Sequence, residues 1–168
     1  MAAEPPARGF YLGGSVGVAT FDDDGMFAGL QFDDTDTSYG VYGGYKILKY
    51  LAVEARFSNQ GSYGFGGGGP PENIDATAYS AHVVGIVPFG TSGWELFGQL
   101  GIGNVKLDSR CCGSDDSSAG SAGMGVRFYP TPHLGIAIQT DAYAWEESAN
   151  GTRDVGIAAT QLTVHYLF

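Results

Sequence analysis

An all-β fold, with eight antiparallel strands closed into an up-and-down barrel, is the fold class that this sequence predicts. Three observations support it. Apolar and polar residues alternate over eight short segments, which is the period of a β-strand between two different surroundings. The connections between these segments are alternately long and short, and several are rich in glycine. No helical periodicity interrupts the series, and a chain of 168 residues is expected to form one domain.

The first three predicted strands open the barrel. The strand at 9–21 is followed by an acidic connection at 22–36, whereas the strands at 39–47 and 50–57 are joined by a very short turn. Apolar side chains occupy alternate positions, so each strand has one apolar and one polar face. The apolar face comprises Phe10, Leu12, Val16, Val18, Tyr39, Val41, Tyr45, Ile47, Leu51, Val53, Ala55 and Phe57.

The fourth and fifth strands follow a long glycine-rich loop, predicted at 59–75. They are predicted at 76–89 and 94–103, with a tight turn between them. The alternation becomes irregular at 104–106, which indicates a β-bulge or the end of the strand. The apolar face comprises Tyr79, Ala81, Val83, Val87, Leu96, Leu100 and Ile102.

The last three strands are predicted at 119–129, 134–145 and 155–168. A loop at 108–118 precedes them, a short turn joins the first two, and a loop at 146–154 precedes the last. The apolar face comprises Ala122, Met124, Val126, Phe128, Ile136, Ile138, Leu162, Val164, Tyr166 and Phe168. Long connections therefore follow strands one, three, five and seven, and short ones follow the others, as in outer-membrane barrels.

Periodicity alone does not show which face points outward, and a soluble barrel such as a lipocalin is the alternative. The polar face carries few charges, whereas a soluble surface is about 25–35% charged. Strands of about 9–14 residues are long enough to cross a bilayer at a tilt of about 45°. Aromatic residues also cluster near both ends of the strands, as two membrane interfaces would favour. They are Phe10, Tyr45, Tyr50, Phe89, Trp94, Phe128, Tyr166 and Phe168 at the short-turn end, and Phe21, Tyr39, Phe57, Tyr79 and Trp145 at the other. These features predict a transmembrane barrel with its apolar face toward lipid.

Composition excludes several other classes. No apolar run approaches the roughly 18 residues of a transmembrane helix. The net charge of −10 argues against a nucleic-acid partner, which would require a basic face. The segment from Met1 to Glu4 is too short for a signal peptide, so a mature chain with an added initiator Met is expected.

Three stretches together resemble the small eight-stranded outer-membrane proteins of the OmpA transmembrane-domain and OmpX group. GFYLGGSVGVATFDDDG is similar to their opening strand and first loop, YGVYGGYKILKYLAVEARF to their second hairpin, and LTVHYLF to their closing strand. The ordered set carries the resemblance, since no single motif is highly specific. OmpA-like proteins carry a peptidoglycan-binding domain after the barrel, whereas this sequence ends at Phe168, so peptidoglycan binding is not expected of it.

The resemblance implies an outer-membrane location with both termini in the periplasm. Residues 1–8 would form a periplasmic tail and residues 9–168 the barrel. Outer-membrane lipid, lipopolysaccharide and the barrel-assembly machinery are the implied partners, with divalent cations or extracellular partners as further candidates at the loops. The C-terminal assembly signal would comprise Leu162, Val164, Tyr166 and Phe168.

The polar face is predicted to fill the lumen, because an eight-stranded barrel is only wide enough for its own side chains. The expected interior polar residues are Lys46, Glu54, Arg56, His82, Glu95, Gln99, Arg127, Gln139, Asp141, Gln161 and His165. Buried charges are costly alone, so these groups should pair. The charged residues fall at two heights, with Glu54, Arg56 and Asp141 above Lys46, Glu95 and Arg127. Such a set is either a plug that stiffens the barrel or an ion-selective constriction.

Histidine is the residue to weigh for catalysis, because some eight-stranded barrels are lipid-modifying enzymes with His and Ser near the outer leaflet. Here His133 lies in a short turn, His165 near the periplasmic end and His82 near mid-strand. None lies at the loop end with a Ser and a carboxylate in a recognisable arrangement, and nucleophilic catalysis needs that mutual geometry. No catalytic residue and no cofactor are predicted.

The acidic loops are the strongest electrostatic feature. Carboxylates bind Ca²⁺ and Mg²⁺, which makes Asp22, Asp23 and Asp24 weak metal candidates, although the spacing of an EF-hand is missing. A solvated, repulsive rim is the simpler interpretation. The adjacent Cys111 and Cys112 allow a vicinal disulfide, an intermolecular link or a metal contact, and a structural or incidental role is the simplest.

Three functions are compatible with these patterns. The first is a non-enzymatic integral outer-membrane barrel with a structural role, whose acidic loops make surface interactions. The second is a narrow passive channel or small-molecule conduit, and the third is a lipid-modifying enzyme.

Overall fold

The computed structural model is a closed β-barrel. It describes residues 5–22, 31–33, 35–66, 72–109, 113–147 and 153–168. The strands are β1 (Gly9–Asp22), β2 (Gln31–Asp33), β3 (Thr35–Leu48), β4 (Leu51–Gly66), β5 (Glu72–Pro88), β6 (Trp94–Ser109), β7 (Gly113–Phe128), β8 (Leu134–Glu147) and β9 (Arg153–Leu167).

Eight long strands pair antiparallel into a sheet that closes on itself. β1 pairs with both β3 and β9, and β4 pairs with β5, so these long strands form a continuous ring. Closure satisfies the main-chain polar groups internally, as lipid requires. The short β2 lies against the end of β4 and was not predicted. No helix in the described part of the chain is long and apolar enough to span a membrane. The predicted closed eight-stranded antiparallel barrel is confirmed.

The start of β1 and the end of β9 both lie at the short-turn end of the barrel. Gly9 of β1 pairs with Lys46 near the β3–β4 turn, and Leu167 pairs with Tyr11. The β5–β6 turn depends on glycine, because Gly90 and Gly93 have φ values of 60° and 72°, which residues other than glycine rarely adopt.

The strands run further into the predicted loops than the alternation indicated. β4 ends at Gly66 and β5 starts at Glu72, so they replace most of the loop predicted at 59–75. β6 and β7 likewise run through most of 108–118. Ladder pairing uses main-chain groups, so polar and glycine-rich residues continue a hairpin where no apolar face is needed.

The other two predicted loops are shortened in the same way. β3 begins at Thr35, and β2 lies inside the segment predicted as the connection 22–36. β8 and β9 pair as far as Glu147 and Arg153, inside the loop predicted at 146–154. The strands are therefore longer than predicted at the end opposite the short turns.

The irregularity predicted at 104–106 is wrong. β6 pairs with both neighbours through this stretch without a register shift. Asn104 is a polar residue on the outer face, where its Oδ1 accepts a hydrogen bond of 3.3 Å from Ser118, and this broke the hydropathy pattern without breaking the ladder. The described ladders instead shift register at two other places, between Lys46 and Leu48 where β3 pairs with β4, and between Asn59 and Gly61 where β4 pairs with β5. Gly61 has a φ of 106°.

Alternation along each strand separates a lipid-type outer face from a buried lumen. Leu162 and Val164 are 48% and 45% exposed, whereas Thr163 and His165 are 1% and 2% exposed. Aromatic pairs lie on the outer face at both ends of the barrel. They are Phe10–Tyr45, Trp94–Phe128 and Tyr166–Phe168 at the short-turn end and Phe57–Tyr79 at the loop end. The side chains of Phe21 and Trp145 lie outside the described part.

The polar lumen as the candidate functional site

The structure places all eleven of the predicted interior polar residues inside the barrel, where none is more than 4% exposed. They are Lys46, Glu54, Arg56, His82, Glu95, Gln99, Arg127, Gln139, Asp141, Gln161 and His165. Their positions follow from strand parity, because inward side chains alternate with lipid-facing ones. The charged residues divide into two groups of three, here called the lower triad and the upper triad.

The lower triad lies near the short-turn end and joins Lys46 of β3, Glu95 of β6 and Arg127 of β7. Lys46 Nζ is 2.7 Å from Glu95 Oε1, and Arg127 Nη1 is 3.6 Å from Glu95 Oε2. The guanidinium of Arg127 also lies over the ring of Phe97, 4.5 Å from its centroid. Two cations share one carboxylate, so this triad has a formal charge of +1.

The upper triad joins Glu54 and Arg56 of β4 to Asp141 of β8. Arg56 donates to both carboxylates, with 2.6 Å from Nη2 to Glu54 Oε1 and 2.6 Å from Nη1 to Asp141 Oδ2. Asp141 also accepts hydrogen bonds from Gln139, at 2.5 Å, and from Gln99. Two carboxylates share one cation, so the formal charge of this triad is −1 and complements that of the lower triad.

Tyrosine and histidine side chains connect the two triads. The Tyr11 hydroxyl donates to Glu54 Oε2 at 3.0 Å, and the Tyr42 ring lies under Arg56, 4.9 Å from its guanidinium carbon. Both ring nitrogens of His165 lie 3.2 Å from tyrosine hydroxyls, one from Tyr42 and one from Tyr129. The interior position of His165 was predicted from the sequence, but these aromatic partners were not.

Glycines on the inner face make room for these large rings. A Cβ added to Gly13 would lie 2.6 Å from Tyr42 Cζ, and one added to Gly125 would lie 2.6 Å from Phe97 Cζ. The small residues of the polar face are therefore the sites against which the inward aromatic rings pack. Side chains of very different size are thereby accommodated in a narrow barrel.

An apolar layer lies in the lumen on the loop side of the upper triad, and sequence reasoning missed it. Its members come from six of the long strands and are at most 4% exposed. They are Ala19, Ala76, Ala78, Val105, Ala119, Tyr143, Ile157 and Ala159. The available signal was the run of alanines at inward positions of β1, β5, β7 and β9, which was overlooked because alanine suits either face.

His82 has a serine neighbour that was not predicted. Its Nε2 lies 3.0 Å from Ser121 Oγ, but no described residue gives its Nδ1 a hydrogen-bond partner. Both residues are buried, at 4% and 7% exposed. A Ser–His pair acts as a nucleophile only with an oriented base and access for substrate, so this pair is suited to interior packing.

The remaining candidates do not form a site within the described residues. His133 contacts the closing strand, with Nδ1 2.7 Å from Leu167 O and its ring stacked on Tyr166. No group of three or more metal-ligating side chains occurs in the described part of the chain. Asp23, Asp24, Cys111 and Cys112 lie outside the described residues, as does the side chain of Asp22.

Comparisons with known proteins agree with this architecture. A family model described as the outer membrane protein beta-barrel domain matches residues 1–168. No curated protein is significantly similar in sequence to this chain.

Three solved structures share the fold at low sequence identity. Neisserial surface protein A is 14% identical with a TM-score of 0.74, over 97% of this chain and 100% of that one. OprG from Pseudomonas aeruginosa is 16% identical with a TM-score of 0.62, over 99% and 98%. Ail of Yersinia pestis, in complex with the heparin analogue sucrose octasulfate, is 20% identical with a TM-score of 0.61, over 95% and 99%. At these identities the likeness concerns the fold alone.

Proposed function

Because this chain belongs to the family of outer membrane protein beta-barrel domains, we propose that it is a structural, non-enzymatic and non-conducting barrel of the outer membrane. Its role is to hold acidic loops at the cell surface on a rigid, closed support. The loops mediate surface interactions, with lipopolysaccharide, divalent cations or extracellular molecules as the candidate partners.

The observation that carries the proposal is the ion pair between Arg56 and Asp141 across the lumen. Charges buried at this depth are tolerated only when they are paired and hydrogen-bonded, and these are. The aromatic rings of Tyr11 and Tyr42 fill the space below the pair, and the apolar layer lies above it. Side chains from several strands therefore meet in the lumen at three successive heights, which supports a mechanical role.

We further propose that the short-turn end and both termini face the periplasm. The length asymmetry supports this orientation, because outer-membrane barrels have short periplasmic turns and longer extracellular loops. The alternate outward residues of the last strand, Leu162, Val164, Tyr166 and Phe168, then serve as the signal read by the barrel-assembly machinery.

A lipid-modifying activity is not favoured. The His82–Ser121 pair is buried in the lumen, and no described residue gives His82 Nδ1 the hydrogen bond that would orient the ring as a base. Labelled lipid A incubated with the refolded barrel should therefore remain unchanged.

Electrical recording tests the proposal directly. The refolded protein in planar bilayers should give no steady conductance. Stable, ion-selective steps would reject it in favour of the channel, and turnover of labelled lipid A would reject it in favour of the enzyme.

A further inference from the structure

A shallow groove crosses the outer wall of the barrel in its short-turn half, and it is here called the outer trough. Its floor is formed by Gly43, Ala55 and Ala81, which are adjacent in register on β3, β4 and β5. None of the three has a side chain larger than a methyl group, whereas most outward positions around them carry large apolar residues. The trough has a volume of about 900 Å³.

Large side chains form the two sides of the outer trough. Phe10 and Tyr45 lie on one side with their ring centroids 4.6 Å apart. Leu100 and Ile102 of β6 form the other side and are 70% and 77% exposed. The outer trough is therefore an apolar groove between two ridges. None of the described residues along it points a charged side chain outward.

The floor glycine is not demanded by the fold. Gly43 does not have a positive φ, and a Cβ added there would meet only Leu12 Cδ1 at 3.5 Å and Tyr11 O at 3.6 Å, which are ordinary contacts. Inward glycines such as Gly125 differ, since a Cβ there would clash with Phe97. The trough therefore exists because an outward side chain is missing, although the strand could accommodate one.

We propose that the outer trough holds one acyl chain of a phospholipid from the leaflet at the short-turn end. The trough is continuous with the lipid-facing wall, so its occupant comes from the membrane. The outward side chains that line it are apolar, whereas Tyr11, Glu54 and His82, which also border it, have their side chains buried in the lumen. A flexible chain can reach the floor between the ridges. Only the naming of this leaflet as the periplasmic one rests on the orientation proposed above.

A second copy of the barrel is a poorer fit. Its convex wall would rest on the ridge of Leu100 and Ile102 before it reached Ala55 or Ala81. A stable protein interface also buries roughly 1,200 Å² or more, which a contact limited to the ridge would not provide. A single flexible acyl chain is narrow enough to lie between the ridges and contact the floor.

Photo-crosslinking in nanodiscs tests the proposal. The probe is phosphatidylethanolamine with a diazirine in one acyl chain, and labelled residues are located by mass spectrometry. Labelling of Val53 and Val83 beside the floor is compared with labelling of Ile138 and Leu162 on the opposite wall. We expect about fivefold more labelling at the trough than on the opposite wall. The preference is modest because acyl chains contact both walls, and only the van der Waals packing of the chain differs between them.

Two variants fill the trough, Gly43→Leu and Ala81→Leu, and each should bring the labelling of the two walls to similar levels. Gly120→Leu is the matched control, because Gly120 points outward on β7 and its added Cβ would approach only Ala144 O, at 4.0 Å. It should leave the preference unchanged. Heat-modifiable gel migration verifies that each variant is folded, and the two filling variants test the floor independently.

Equal labelling of both walls in the wild type would overturn the proposal, as would a preference that survives both filling variants. Barrel-to-barrel cross-links that protect the trough would replace the acyl chain with a second copy. Labelling by a diazirine analogue of lipid A but not by the phospholipid would also reject it. None of these outcomes alters conductance, so a failure here is distinguishable from a failure of the structural role.

Discussion

Arg56 and Asp141 meet across the full width of the lumen, with 2.6 Å between Nη1 and Oδ2. Their strands, β4 and β8, are separated by three long strands in either direction around the barrel. An ion pair between opposite walls places charged side chains across the middle of the lumen at that height. It also means that the stability of the barrel depends on the sign and number of the charges in each triad.

Arg56 should be the most sensitive member of the upper triad. Arg56→Met leaves two buried carboxylates without a cation, and breaking a buried pair in this way costs roughly 3–5 kcal/mol. Asp141→Asn keeps the pair between Arg56 and Glu54, so it should cost less, about 1–3 kcal/mol. Urea unfolding of the barrel in detergent micelles measures both. Equal losses would show that the triad is not organised around its single cation.

The order of sensitivity should invert in the lower triad. Here Glu95 is the single anion, so Glu95→Gln leaves Lys46 and Arg127 as facing cations, whereas Lys46→Met leaves one ion pair. The same urea series should place the midpoint of Glu95→Gln below that of Lys46→Met. A lower midpoint for Lys46→Met would contradict the assignment of +1 to this triad.

A larger side chain should destabilise the apolar layer only when it is introduced at an inward-facing position. Ala159 is fully buried in the layer, and Ala158 beside it in the chain is exposed on the outer face. Ala159→Leu should destabilise by about 1–3 kcal/mol, because extra methylenes in a packed core force neighbouring side chains to move. Ala158→Leu, the matched control, should have little effect on the urea midpoint. A tolerant Ala159 would indicate that the layer is loosely packed.

Arginine on the outer face should be costly according to its depth. Leu162 pairs with Val16 and Ile138 near the middle of the wall, so Leu162→Arg should cost roughly 2–4 kcal/mol. Tyr50→Arg, in the short turn, should cost about 0–1 kcal/mol because it lies near the interface. Refolding into liposomes as a function of urea measures the difference. Similar costs at the two positions would mean that Leu162 does not face the hydrocarbon layer.

Strand parity explains how much of this structure was predictable. Period-two alternation identified the eight strands and placed Glu54, Arg56 and Val164 on the correct faces without any tertiary information. The alternation gave wrong strand boundaries where a strand continues without an alternating apolar face. The glycine-rich end of β4 pairs through its main chain alone, and Asn104 with Ser118 forms a polar contact on an otherwise apolar face.

Contacts across the lumen were beyond the reach of the pattern. The sequence indicated that Lys46, Glu95 and Arg127 share one height, but pairing of Arg56 with Asp141 depends on which strands oppose each other after closure. The apolar layer was missed because alanines such as Ala19 and Ala159 carry no directional signal. The contact between His82 and Ser121 was missed for the same reason as the Arg56–Asp141 pair, because the two residues lie on strands that are two apart in the closed barrel.

Single-channel recording on the wild-type barrel tests the central claim, that the lumen is closed, most directly. The same sample should first show heat-modifiable migration on a gel, which establishes that the protein added to the bilayer is folded. A closed lumen predicts no steady conductance from the wild type at any salt concentration used. Stable ion-selective steps, whose selectivity changes in Arg56→Met, would contradict it.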